Sequence, residues 1–400
     1  MVLKGFVRPT LTQKNGRFYY AILQIVYWMI SGLTFSFASA YLLNVGVSNS
    51  RIGIVIGGAY AFSTLIQPLY AAFLRRVKCH VHQGIMWAYL LMSGLCIPLF
   101  SRNVSILLRM GLLIVIYGIE SAMQPFMTAL VNLYETASIQ IDFGKARSMA
   151  SLVYTGFMAL MGVILEWLSP GVLPVLYFLA SMMMVILLAV VRLPNKLIPE
   201  TVSPQKSIIS ARINSQIVFF MLGRVFISLG SMIAGCYLLQ IMQNVGGGVS
   251  DVGLFDGIGA ALEVPVLFFY SRLSEKFNCR KLLVLSGWFY VVKYTIILLA
   301  KNPLTICLAQ LTQIFGFGLY LPSSIEYVSE LYSLNEYLHG QAVAGSASTI
   351  GCIISAVAGG MLLDTIGIAN TQEMSVFILA IGAVLVTISV IIQKRAILLR

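Results

Sequence analysis

Twelve stretches of this chain, 19 to 31 residues long, are so poor in charge that water is an implausible solvent for them. They cover residues 18–43, 51–74, 82–100, 104–133, 149–167, 171–192, 214–240, 251–271, 279–300, 303–333, 340–367 and 371–393. Of the 400 residues 59% are hydrophobic and 10% charged, whereas soluble domains are about a quarter charged. Mean hydropathy is +0.90. A soluble chain so composed has too little polar surface to cover itself, so lipid is the remaining solvent. A helix crosses about 30 Å of hydrocarbon with about 20 apolar residues. A barrel would instead show short alternating strands. The expected fold is therefore an all-α membrane protein of twelve transmembrane helices.

The net charge of +12 is explained by where it lies. With the N-terminus inside, twenty of the 26 Lys and Arg residues fall on one side. Four are in the N-terminal tail, three follow span two, two follow span four, four are in the central linker, four follow span eight and three are in the C-terminal tail. This positive-inside bias puts both termini in the cytoplasm of a multi-pass protein of the cell membrane. It leaves no reason to infer a nucleic-acid partner. "SFASA" near residue 40 follows an apolar run too long for a signal peptide, and neither terminus carries a lipidation motif. Six scattered cysteines imply no disulfide framework. Cys79, His80 and His82 cluster in "CHVH", but Arg75, Arg76 and Lys78 beside them repel cations, so no metal is expected there. No phosphate-binding loop is present, and no cofactor is implied.

The longest polar interval, "RLPNKLIPETVSPQKSIISARINS", begins at Arg192 and holds three prolines. It reads as a cytoplasmic linker, 193–213, between six-helix bundles at 1–192 and 214–400. Related halves should repeat features at one spacing, and they do. "PLYAAFLR" from Pro68 matches "PVLFFYSR" from Pro265 at an offset of 197. "GKARSMA" from Gly144 matches "GQAVAGS" from Gly340 at 196. "GVILEWLS" matches "GMLLDTIG" at 198, aligning Glu166 with Asp364. Six-span repeats related in this parallel way are one plan of secondary transporters, with the substrate site at mid-membrane. Small residues in "GIGAAL" and "GSASTIGCIISAVAGG" suit close helix packing.

Three charges lie deep. Glu263 is nine residues from Arg272, about 13 Å; Arg224 is ten residues into span seven, about 15 Å; Lys293 is twelve residues past Lys281, about 18 Å. An unpaired charge at that depth costs about 2.5–3.5 kcal/mol. Glu263 is therefore expected to pair with Lys293 or Arg224, or all three to face a wet cavity. A purely structural salt bridge is the competing reading, but buried ion pairs are poor glue beside apolar packing. In span five, Arg147 and Tyr154 are seven residues apart and share a helical face. For Arg147 an interface anchor, and for Tyr154 plain packing or an interface aromatic, stand beside a functional reading.

"FGKARSMASLVY", "ALEVPVLFFYSRLSEKFNCRKLLVLSG", "YVSEL" and "GQAVAGSASTIG…GGMLLDTIG" together resemble the major facilitator superfamily, in particular the lactose permease-type branch of oligosaccharide:proton symporters. The resemblance implies that Glu263 links solute binding to protonation and that Lys293 controls its proton. It also implies that Arg147 contacts the solute and that Tyr154 stands at a stacking position. The chain departs from the branch in four places. The branch's acidic sugar ligand of span four has no counterpart: near its place stand Thr128, Ala129 and Asn132, with Glu120 in the same span about two turns towards the outside. Gln313 replaces a histidine. Gly316 replaces a proton-carrying glutamate. Arg75 takes an acidic loop position, while the second-half copy keeps Glu275.

These readings imply a secondary active transporter of a small hydrophilic organic solute, a sugar or nucleoside, coupled to protons and working by alternating access. Its expected partners are that solute, protons and membrane lipid, and it is expected to be a monomer. The solute-binding set is Arg147, Tyr154, Glu263, Thr128, Asn132 and Gln313; the proton-coupling set is Glu263, Lys293, Arg224 and Glu120. Drug or sugar efflux is the runner-up, although "GFMALMGVILEW" lacks the Gly-Pro-x-x-Gly-Gly signature of many antiporters. A membrane enzyme would want clustered polar groups near one interface, and a channel repeated pore rings; the chain offers neither.

Overall fold

The computed structural model describes residues 13–101, 103–136, 139–191, 214–333 and 336–398. The linker at 193–213 and the basic residues Lys4, Arg8, Arg192, Lys196, Lys206, Arg212 and Arg400 lie outside them. Ten spans are separate helices: Asn15–Ser36, Asn49–Arg76, Val81–Phe100, Ile106–Glu135, Gly144–Leu168, Pro170–Val190, Ser215–Cys236, Val249–Phe277, Cys279–Leu299 and Pro303–Leu331. They are called spans one to ten below. A last helical run, Tyr337–Leu398, has 62 residues. At 1.5 Å per residue it would reach about 93 Å, three bilayer cores. Gly367, at φ 80° and ψ 177°, breaks it. A side chain would be strained at that φ, and the break divides the run into spans eleven (337–366) and twelve (368–398). The twelve expected spans are therefore all present, and the described residues are almost entirely helical.

Several spans are broken where the chemistry lies. Span one passes through a π-helical turn, Gly32–Ser36, and resumes as Ala38–Asn44. Span seven stops at Cys236 and resumes as Leu238–Asn244 after Tyr237, at φ −121° and ψ 26°. The two interruptions, at Phe37 and Tyr237, fall 200 residues apart, another repeat between the halves. Span ten runs as Pro303–Ala309, tightens to a 3₁₀ turn over Gln310–Ile314, and restarts at Phe317. Short departures of this kind mark functional sites more often than chance.

The chain forms two compact units. One holds residues 1–35, 59–154 and 171–205; the other holds 36–58, 155–170 and 206–400. In the first, Tyr20, Tyr89, Tyr117, Tyr134 and Tyr177 are fully buried. Most of their hydroxyls are spent internally, Tyr117 on Tyr177 at 3.1 Å and Tyr20 on Met127 O at 3.3 Å, while that of Tyr134 has no hydrogen-bond partner among the described residues. In the second, Phe220, Tyr290, Tyr320 and Tyr327 pack with Leu283, Leu379 and Val386. Glycines let backbones meet there. A Cβ at Gly253 would run into Met158 O, one at Gly360 into Asn49 O, and one at Gly53 into Ala356 O.

In the second unit, two carboxylates close helix starts. Glu166, ending span five, accepts the Ser250 N–H at 2.8 Å. Asp364, on span eleven, accepts the Ser50 N–H at 2.8 Å, the Ser50 hydroxyl at 2.6 Å and the Asn49 amide at 2.9 Å. The first N–H groups of a helix have no partner within it and carry partial positive charge, so anionic caps stabilise them.

Candidate functional site

Span nine brings Lys293 into the second unit with only 5% of its surface exposed. Its ammonium donates to Gln310 Oε1 and Gln313 Oε1, both at 2.7 Å, and lies 5.1 Å from the Phe255 ring centroid. The 3₁₀ turn of span ten makes this double contact by presenting Gln310 and Gln313 on one side, three residues apart, as three residues per turn requires. Gln313 then donates its own amide to Glu263 Oε1 at 3.0 Å. Gln310 donates to Phe255 O at 2.9 Å. Lys293 and Glu263 are thus joined through the carboxamide of Gln313.

Asp256 lies seven residues before Glu263 on span eight, two turns along the same face. Its carboxylate is hydrogen-bonded to Ser36 and feels the charge of Lys293. Lys293 therefore has two carboxylates within electrostatic reach, Glu263 and Asp256. Arg224 belongs to a different set of contacts. Its Nε donates to Ala344 O at 3.0 Å and its Nη2 to Ser348 Oγ at 2.9 Å, on span eleven. Its guanidinium also lies 5.7 Å from the rings of Phe220 and Tyr320.

The first unit carries a second cluster. Asp142 starts span five by accepting the Lys145 N–H at 3.0 Å and pairing with the Lys145 ammonium at 3.0 Å. These bonds hold its carboxyl below the usual carboxylate range, the backbone N–H first among them. One turn on, the Arg147 guanidinium lies flat over Trp28 of span one, 3.4 Å from the ring centroid. Tyr27 meets the Trp28 ring edge-on at 5.2 Å and is within electrostatic reach of both Arg147 and Glu120. Glu120 is wholly buried. Its Oε2 accepts the Tyr89 hydroxyl at 2.8 Å, and its Oε1 has no hydrogen-bond partner among the described residues. Tyr154 is half-buried on span five. Thr128 and Asn132 are exposed on span four, the Thr128 hydroxyl bonded to Gln124 O at 3.2 Å.

Of the residues expected to act, the structure brings together Glu263, Gln313 and Lys293, and separately Arg147 and Glu120 around Tyr27. Sequence reasoning missed Trp28, Asp256 and Gln310. Asp256 carried a legible signal, an acid in an apolar run two turns from Glu263. Trp28 and Gln310 carried none, since both residue types are ordinary in a span. Among the described residues, no three His, Cys, Asp or Glu side chains are placed to hold a metal ion.

Twelve apolar spans in related halves, with charge buried on spans four and nine and half-buried on span eight, are the architecture of a major facilitator-type membrane transporter. The chain belongs to the MFS_1 like family, whose model matches residues 18–371. No curated protein matches it in sequence. Among solved structures, the nucleoside transporter NupG superposes with a TM-score of 0.76 at 12% identity, covering 94% of this chain and 98% of that one. A bacterial homologue of the human lysosomal transporter Spinster, inward-facing and unoccupied, gives 0.70 at 12%, covering 94% and 97%. A bacterial homologue of the iron transporter ferroportin, also inward-facing, gives 0.70 at 13%, covering 95% and 100%. At these identities the likeness is one of fold.

Proposed function

We propose that this protein is a proton-coupled secondary transporter of a small hydrophilic organic solute, a nucleoside or a sugar, in the cell membrane with both termini cytoplasmic. The observation that carries the reading is the Lys293–Gln313–Glu263 chain. A buried ammonium and a carboxylate sharing one neutral carboxamide form a relay in which protonating Glu263 rearranges two hydrogen bonds at once. Ionisable groups inside a membrane are costly and usually mark substrate or ion pathways. Glu263 is the proposed proton carrier, and Lys293 and Asp256 set the field around it. Arg147 on Trp28 supplies a guanidinium and an aromatic face, the donor set for a hydroxylated ring. The likeness in motifs to the lactose permease-type branch and the likeness in fold to a nucleoside transporter both support an organic solute. Thr128, Asn132 and Tyr154 are further proposed contacts. Arg224 acts from its span eleven contacts, and transport follows alternating access of the two bundles.

A solute-stabilisation screen of the purified protein identifies the class, because a bound ligand raises apparent stability by mass action. Nucleosides or sugars should raise the melting temperature, and the best of them should enter liposomes faster under an inward proton gradient. Stabilisation by lipophilic cations alone would favour efflux, and uptake indifferent to the gradient would reject symport.

A further inference from the structure

We infer that a groove on the outer face of spans two, three and four is a site for an anionic phospholipid of the leaflet that carries the basic loops. The groove has a volume of about 540 Å³ and a nearly all-apolar wall. Phe62 and Phe73 line it from span two, Val77 from the turn that follows, and Trp87 and Leu91 from span three. Phe73, Val77, Trp87 and Leu91 are each at least half exposed, so this is a surface facing outward from the first unit. The one hydroxyl in the wall, on Tyr70, is spent on Gly84 O at 2.6 Å. From Phe62 to the helix end at Arg76 is fourteen residues, about 21 Å along the helix. That is enough to take an acyl chain through a single leaflet of a core about 30 Å thick.

Charge at the mouth selects the headgroup. Val77 and Cys79 line the groove's end and alternate in sequence with Arg76 and Lys78. Arg75, Arg76 and Lys78 are all exposed. No carboxylate among the described residues lies within ion-pair distance of them. The turn after span eight differs. There Arg280 is paired with Glu330 at 2.7 Å, and Gln393 holds the same carboxylate at 3.1 Å. The first-half turn thus keeps three cations without an acid, one of them where an acid was expected, at the open end of a chain-shaped groove. A phosphate with no cation of its own complements that end, and a zwitterionic headgroup does so less well. Juxtamembrane basic clusters recognise anionic lipid through this complementarity.

The test is native mass spectrometry of the lipid-depleted protein in detergent with phosphatidylglycerol or phosphatidylcholine of the same acyl chains, and with glycerol phosphate. Phosphatidylglycerol should be retained at least tenfold more tightly than phosphatidylcholine, and glycerol phosphate not at all. Each basic residue removed should weaken retention about fivefold, so Arg75→Gln, Arg76→Gln and Lys78→Gln together should bring phosphatidylglycerol to the phosphatidylcholine level. Leu91→Trp, which fills the groove from an exposed position, should weaken both lipids. Arg272→Gln with Lys276→Gln in the second half should change nothing. All variants should melt like the parent in lipid-free detergent. Equal retention of the two lipids would overturn the site. So would retention lost in the triple variant but unchanged in Leu91→Trp, which is surface adsorption, or an equal loss in the second-half control.

Discussion

Asp364 holds the first turn of span two through the Ser50 backbone N–H, at 2.8 Å. Glu166 holds span eight through Ser250 at the same distance. The acids are 198 residues apart and their partners 200, so the repeat has duplicated a complete cap. Glycines seat both contacts, for a Cβ at Gly162 would come within 2.9 Å of Ser250 O. Removing a cap costs about 1 kcal/mol, about fivefold in an opening equilibrium, and separate caps add. Asp364→Ala and Glu166→Ala should each speed maleimide alkylation of the buried Cys236 about fivefold, and together about 25-fold. Rates equal to the parent's would mean that these caps do not control access to Cys236.

Gln313 joins Lys293 to Glu263, so the proposed relay turns on it. Gln313→Ala should cut gradient-driven uptake at least tenfold without loss of fold. Gln313→His restores the residue type of the resembling branch and should behave differently. A neutral imidazole accepts at one nitrogen and donates at the other, so it can serve Lys293 and Glu263 in turn. Once protonated it donates at both nitrogens and repels Lys293. Uptake by Gln313→His should therefore fall as pH is lowered, more steeply than in the parent. A flat profile for both proteins would remove Gln313 from the relay.

Much of this was legible in the sequence, for reasons that differ by residue. Spans were legible because lipid thickness fixes their length. Even the break between spans eleven and twelve falls at Gly367, where the two apolar stretches were expected to part. Glu263 and Lys293 were legible because charge at depth is costly. Their connection was not, because a glutamine bridge depends on the 3₁₀ turn at Gln310–Ile314, and no apolar pattern encodes the local pitch of a helix. Arg147 was legible as a candidate. Its seat on Trp28 depends on the rotation of span one against span five, which the periodicity of one helix leaves undetermined.

Arg147 on Trp28 predicts that lysine is a poor substitute. Arg147→Lys keeps the charge and loses the flat stack, worth about 0.5–2 kcal/mol. Solute affinity should fall about two- to thirtyfold with little change in melting temperature. Trp28 is one of four tryptophans, and its indole nitrogen has no hydrogen-bond partner among the described residues. Trp28→Phe should therefore fold normally, and it should remove the part of the intrinsic fluorescence change that reports solute binding. A full fluorescence response in Trp28→Phe would place the solute away from this cluster.

Glu120, buried in the first half, and Glu263, half-buried in the second, should separate under one pair of assays. Glu120→Gln keeps an acceptor for the Tyr89 hydroxyl, so its melting temperature should barely move. Tyr89→Phe strips a fully buried carboxylate of the donor it has at 2.8 Å and should cost about 1–3 kcal/mol. For coupling, Glu263→Gln should abolish accumulation driven by a proton gradient yet retain solute counterflow, which needs no net proton movement. Glu120→Gln should retain both. The reverse pattern, accumulation lost in Glu120→Gln and kept in Glu263→Gln, would move the proton to the first half and leave the Lys293–Gln313–Glu263 chain a structural tie between spans eight, nine and ten.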